Sequence, residues 1–468
     1  WFSALFWLLI PLKNVFLARL PFVFISSFAP YLIYLIVHKI TKDVRFSIIA
    51  SMVAATSPWL FHLGRIAMDV TLAFPTVLFA ILLLLNRRRI LAYILLWLAF
   101  FNYQGFRTII PCIPFIMEWY LQTSNKEWEL KKYVRHILFV IILVLSVLLI
   151  DSKTTSNRTD QVLFLNMEKF SSYVDTKRNE TIFPLFVSKI FDNKLTESMR
   201  YGIDTFMQGL SPHTFFFKGD ASPINGTGVG GLLYISWLPF LTLGLVSLRN
   251  KSIDYRFLAC FILWGMIPSL MSLNGHSFAI RGVLMIVGFS SLIALGITEG
   301  WTMISKYKHL KKIVVIVFVV VSLVDVSTFA YEYFGRRPIT LSEVFNERER
   351  AVTEYISTLD SDSPVVVYDT DVSTKNTFMT YAFLKMNDPA EIQSIMQKAK
   401  NTYRHENTVF KLCEERIHHP KTAIAIVSNH CLTDAEYDKL KDMKLREIVY
   451  RDTPILVAYF IVPPKIDN

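Results

Sequence analysis

Charge is scarce in this sequence of 468 residues: Asp, Glu, Lys and Arg together make up 19% of it, against 53% hydrophobic residues. That balance excludes an ordinary soluble protein. Acidic residues are missing altogether before Asp43. No phosphate-binding glycine loop appears in the C-terminal region, which excludes a P-loop there. Cysteine is sparse, with four residues. Cys112 and Cys260 lie in apolar runs and read as small core residues, whereas Cys413 and Cys431 leave a disulfide and two free thiols equally open. No internal repeat of the apolar pattern is visible, which speaks against many transporter architectures.

What the chain does have is apolar runs of roughly 17 to 23 residues, the length that crosses a bilayer at about 1.5 Å rise per residue. Leu20–His38, Phe46–Leu63, Met68–Leu85, Ile90–Asn102, Thr108–Leu121 and Val134–Ile150 come first, then Leu232–Leu248, Tyr255–Ser272, Gly282–Ile304 and Ile313–Tyr331. These predict a polytopic α-helical membrane protein of about ten spans. Trp1–Leu12 reads as an interfacial helix. Because the chain opens on Trp1, a preceding segment is expected.

The net charge of +11 does not point to nucleic acid, because the basic residues gather in alternate short loops. Lys39, Lys42 and Arg45 share one loop; Arg87–Arg89 form the next; Lys126, Lys131, Lys132 and Arg135 follow. Arg249, Lys251 and Arg256 fill a fourth, and Lys306, Lys308, Lys311 and Lys312 a fifth. This alternation places those loops in the cytoplasm. The long segment 151–230 and the C-terminal domain then fall outside it, and a bacterial plasma membrane is the expected setting. The sequons at Asn157, Asn179 and Asn225 also fall on the outer side.

Residues 1–338 are therefore expected to form the membrane domain and residues 339–468 an extracytoplasmic α/β domain. In the latter, "PVVVYD", "TAIAIVS" and "ILVAYFIV" read as strands, and Asn387–Lys400 and Asp434–Lys444 as helices. Either a scaffold or a part in acceptor binding fits that domain.

Three short outer turns each carry an arginine that the charge rule disfavours: Arg65, Arg107 and Arg281. Ionisable groups near membrane depth cost a few kcal/mol and usually face a polar cavity or bind something. Arg107, in "FNYQGFRT", lies between apolar runs of only about 13 residues, so its turn is expected below the surface. Gly105 permits a tight turn there, and Tyr103 and Gln104 add neutral hydrogen-bonding groups. A guanidinium fork suits phosphate. The alternatives are an Arg65–Asp69 ion pair one helical turn apart and snorkelling of Arg281. Asp69, the one carboxylate in these turns, is the acid/base or metal-ligand candidate; His276 could donate to phosphate or move a proton. His418, His419, His430 and Cys431 match no standard metal spacing, so no metal site is assigned, although a divalent cofactor stays open.

Several of these stretches resemble polyprenol-phosphate-dependent glycosyltransferases of the GT-C fold, including the protein O-mannosyltransferase, aminoarabinose transferase and Rgt-like families. "ARLPFVFISSFAPYLIYLIVHKI" is similar to their "RLP" helix, "SPWLFHLGRIAMDVTLAFP" to the next outer turn, and "FNYQGFRTIIP" to a tyrosine-glutamine-glycine-arginine turn. "FFFKGDASPINGTGVGGLLYISWLPFLTLGL" resembles the glycine-aspartate loop, which adds Asp220 to the candidates. The resemblance implies transfer of a sugar, with inversion, from a polyprenyl-phosphate donor to an acceptor hydroxyl on a glycan, lipid or protein. A carboxylate would serve as general base, and basic groups would stabilise the departing phosphate. It also implies that the principal catalytic acid lies upstream of residue 1. A lipid-linked sugar transporter or flippase and a non-catalytic membrane scaffold are the competing expectations.

Overall fold

The computed structural model describes residues 15–126, 128–151, 167–220, 222, 224–228, 230–272, 277–341, 346–359, 364–385, 388–399, 401–418, 423–436, 438, 446–449 and 457–462. Trp1–Leu12, Asn157, His276 and His419 lie outside the described residues, as does most of the helix expected at Asp434–Lys444. The chain divides into two units, Phe16–Arg336 and Arg337–Asn468.

In the first unit every expected span is matched by a helical segment. The helices are α1 (Val15–Ser26), α2 (Ala29–Thr41), α3 (Val44–Thr56), α4 (Pro58–Arg65), α5 (Asp69–Leu85), α6 (Arg89–Asn102), α7 (Ile113–Asn125) and α8 (Lys131–Asp151). After the long middle segment come α12 (Leu238–Ser247), α13 (Ile253–Ala259), α14 (Phe261–Leu270), α15 (Met285–Ser305) and α16 (Lys308–Ala330). Their lengths differ from the expectation of about ten full spans. Among the described residues five helical stretches are long and apolar enough to cross a membrane: Phe16–Thr41, Lys131–Leu149, Ile253–Leu270, Met285–Ser305 and His309–Thr340. The pair α3 and α4, bent by 56°, makes a sixth if counted as one span. Helices α5 and α6, of 17 and 14 residues, are shorter.

Local chemistry sets the breaks. Proline occupies the first turn of α2 and of α4, where its missing N–H costs nothing. The Ser57 side chain accepts the Leu60 amide at 3.2 Å, capping α4 and fixing the bend. Asp43 does the same for α3, accepting from Phe46 at 3.0 Å. The basic loops are tight because Lys42, Arg87 and Lys126 take left-handed φ values of 60°, 62° and 56° at helix ends.

Helix α15 is central: from Met285 to Gly296 every residue is buried. It packs against α3, α12 and α14. The crossing with α12 is so close that a Cβ on Gly244 would collide with the Leu292 carbonyl, and one on Gly296 with the Phe240 carbonyl. Small residues permit such approach, the usual basis of helix association in lipid. Helix α16 sits at the other extreme, with no buried residue in its apolar window.

The long middle segment carries three helices where described: α9 (Met167–Asn179), α10 (Leu185–Phe191) and α11 (Lys194–Leu210). Asn193 and Thr196 form a reciprocal capping box at the start of α11.

The second unit is the expected α/β domain. Helix α17 (Glu347–Ser357) precedes β1 (Val365–Asp369); α18 (Asp371–Leu384) and α19 (Pro389–Lys398) lead to β2 (Tyr403–His405) and β3 (Thr408–Leu412). Then come β4 (Ile424–Ser428), β5 (Arg446–Val449) and β6 (Val457–Val462). The sheet order is β2-β3-β1-β4-β6-β5, with β1 parallel to β3 and β4 and the remaining pairs antiparallel. Cys413 and Cys431 form a disulfide, their Cα atoms 5.1 Å apart, within the ordinary range. It joins the chain just after β3 to the chain just after β4.

Candidate functional site

Three loops meet at the end of the bundle opposite the basic turns. Helix α4 carries Trp59, whose indole Nε1 donates to the Ala279 carbonyl at 2.7 Å, while its own amide donates to Leu232 at 3.1 Å. His62, one turn on, is 2% exposed. Its Nε2 meets the Ile224 carbonyl at 3.0 Å and its Nδ1 the Tyr333 hydroxyl at 2.9 Å. A carbonyl only accepts, so the neutral ring carries its proton on Nε2 and accepts at Nδ1. The loop after α11 is thereby sewn to α4 and to the one-turn helix Phe278–Arg281.

Asp220 makes the tightest stitch. One carboxylate oxygen accepts the Ser222 amide at 2.8 Å and the other the Ala279 amide at 2.6 Å. Asn225 adds a bond from its side-chain nitrogen to the Ser277 hydroxyl at 3.0 Å. Burial nevertheless pushes the Asp220 pKa up, more than those amides and the nearby Arg281 pull it down. The residue reached through the glycine-aspartate resemblance therefore holds the loop together.

Beside it the 3₁₀ turn Gln104–Thr108 follows α6. Tyr103 precedes it, and burial raises its phenol far above the ordinary value. Arg281 opposes that shift, while Asp69 and Asp220 add to it. One phenol thus feels three charged candidates, so Asp69, Asp220 and Arg281 all lie within electrostatic reach of Tyr103. The Asn102 amide fixes the Asp69 backbone, donating to its carbonyl at 3.2 Å. The Asp69 carboxylate is exposed and makes no hydrogen bond or ion pair among the described residues. The half-buried Gln104 side chain makes no hydrogen bond there either.

One correction follows. Arg65 does not pair with Asp69, because α4 ends at Arg65 and Ile66 is extended, so the two residues do not share a helix face. The guanidinium lies instead among the rings of Phe61, Tyr333 and Phe334, at 5.6, 5.3 and 5.1 Å. Gly105 lies in that tight 3₁₀ turn, and a Cβ there would strike the Tyr103 ring. Its smallness lets that ring lie flat on the turn.

Arg107 faces elsewhere. Its Nε donates to the Phe100 carbonyl at 3.3 Å, and the guanidinium lies over the rings of Phe100 and Phe101. It also lines a cavity of about 210 Å³ with Pro111, Val140 and Val144, which meets an apolar cavity of about 410 Å³ bounded by Pro111, Phe115 and Ile141. These cavities run along α8 and lie apart from the Asp69–Tyr103–Arg281 group.

The sequence reading passed over His62 and Asp325. A histidine in the apolar run "PWLFHLG" and a lone carboxylate in α16 were the available signals. Asp325 accepts the Ser236 amide at 2.7 Å. Among the described residues no group of three His, Cys, Asp or Glu side chains is placed to hold a metal ion; Cys431 is committed to its disulfide. No family model matches the chain, and no curated protein is significantly similar to it.

Proposed function

We propose that the protein is a membrane glycosyltransferase that moves a sugar from a polyprenyl-phosphate donor to an acceptor hydroxyl at the extracytoplasmic face. The observation that carries this reading is the unengaged Asp69 carboxylate grouped with Tyr103 and Arg281. In the proposed step the acceptor hydroxyl gives its proton to Asp69 and its oxygen attacks the anomeric carbon. The bond from that carbon to the phosphate oxygen breaks on the opposite face, and the electron pair leaves with the polyprenyl phosphate. Arg281 supplies positive charge where the phosphate departs, and the protonated Tyr103 supplies a donor. Arg107 stands at the head of an apolar cavity along α8, whose carbon walls suit the other part of the donor, its polyprenyl chain.

The test is transfer from a polyprenyl-phosphate sugar by the membrane-embedded protein. Asp69→Asn is expected to lower the rate by about 10²-fold or more, the usual scale for a lost general base, and Arg107→Ala to abolish transfer at low donor concentration. Both variants should keep the parent's thermal unfolding. Undiminished transfer by both variants sinks the reading.

A further inference from the structure

The helices of the middle segment turn an apolar surface outward that no described residue covers. On α11, Leu195, Met199, Ile203, Met207 and Leu210 are 41–70% exposed. Their spacing of four, four, four and three residues draws them into one stripe along a helix of 17 residues, about 26 Å long. Helix α10 extends the surface with Phe186, Ile190 and Phe191, each more than 60% exposed. Ile182, just before it, is 99% exposed. Exposed apolar clusters of this size mark an interaction surface.

The other side of α11 identifies what covers the stripe. Thr205 and Gly209 are buried there, and the Tyr201 hydroxyl donates to the Ser272 carbonyl at 3.0 Å. Gly209 lies against Met266 and Phe278. Helix α11 therefore packs on the end of the candidate span Ile253–Leu270, whose own outward residue Leu263 is 49% exposed. The stripe continues the apolar surface that this span presents. Exposed Lys189 and Lys194 flank it, and salt bridges from Arg200 to Asp192 and Glu197 tie α10 to α11. Large apolar side chains on one face, lysines at the border and a polar remainder characterise helices that lie in a membrane interface.

We propose that α10 and α11 lie in the headgroup layer of a lipid bilayer, with Phe186, Ile190, Met199, Ile203 and Met207 dipping into the acyl region and Lys189 and Lys194 at the depth of the phosphates. This inference is independent of the transferase reading, because it concerns the membrane contact of a loop rather than its chemistry.

Spin labels test it. Met199→Cys, Ile203→Cys, Met207→Cys and Asp204→Cys are labelled in a Cys112→Ala, Cys260→Ala background without reductant. The protein is placed in nanodiscs of phosphatidylethanolamine and phosphatidylglycerol. At 199, 203 and 207 oxygen should relax the label several-fold more effectively than a water-soluble nickel chelate, and at 204 the order should reverse. Nickel access along the stripe equal to that at 204 overturns the proposal. So does an immobilised label shielded from both reagents, which would mean that protein covers the stripe.

Discussion

Asp69 and Arg65 stand four residues apart, the spacing of a helical ion pair, and the fold refuses them that pairing by ending the helix between them. Arg65 takes aromatic faces in exchange. Because it is exposed, Arg65→Met is expected to cost only about 0.5–1 kcal/mol, read as a small fall in unfolding temperature. Asp220 behaves differently. Burial raises its folded pKa above the unfolded value of about 3.9, so the folded chain holds that proton more tightly than the unfolded one. Its contribution to stability is therefore present at acid pH and lost as pH rises from about 4 through the raised value. Asp220→Asn should flatten that pH dependence in thermal melts of detergent-purified protein, and should destabilise the loop by about 1–3 kcal/mol through one orphaned backbone amide. The sequence singled out Asp69, Tyr103 and Arg281 because charge and phenol are conspicuous in apolar surroundings. Gly105 was legible as a turn residue, but the Tyr103 ring that also demands its smallness was not.

At the scale of elements, the apolar runs foretold where helices form, and α5, α8 and α15 lie close to the expected ranges. Run length did not foretell how many are long enough to span, because capping by Ser57 cuts the run Phe46–Leu63 that hydropathy reads as continuous. The strands followed the same division. The β-branched runs of β1, β4 and β6 were legible, whereas the hairpin β2–β3 was missed because "YRH", at the sheet edge, and "TVFKL" beside it are short and carry polar residues. The close crossing of α12 and α15 was invisible for another reason: two glycines in apolar helices say nothing until their partners are known. Gly296→Val should force these helices apart, lowering the unfolding temperature of the first unit by more than Gly300→Ala, whose site meets only side chains.

For the whole molecule, two units with separate cores should unfold separately. The Cys413–Cys431 bond closes a loop across a sequence separation of 18, for which chain entropy implies about 3 kcal/mol of stabilisation. Reduction with a water-soluble phosphine should therefore lower the melting temperature of the C-terminal unit alone in calorimetry. Arg348→Ala should act on the same unit, because the guanidinium donates to both oxygens of the wholly buried Asp369 at 2.9 and 3.0 Å. A buried carboxylate that loses its ion-pair partner costs about 3–5 kcal/mol.

The bond between Asp325 and Ser236 also bears on how the protein is made. A carboxylate in the middle of an apolar helix resists entry into lipid by about 2.5–3.5 kcal/mol on the insertion scale, and no residue in the apolar window of α16 is fully buried to compensate. Its partner amide lies 89 residues earlier in the chain, so a ribosome delivers the donor well before the acid that requires it. Synthesis from the N-terminus thus presents α16 with a waiting dock, and a circular permutant that emits α16 first would leave the acid without one during insertion.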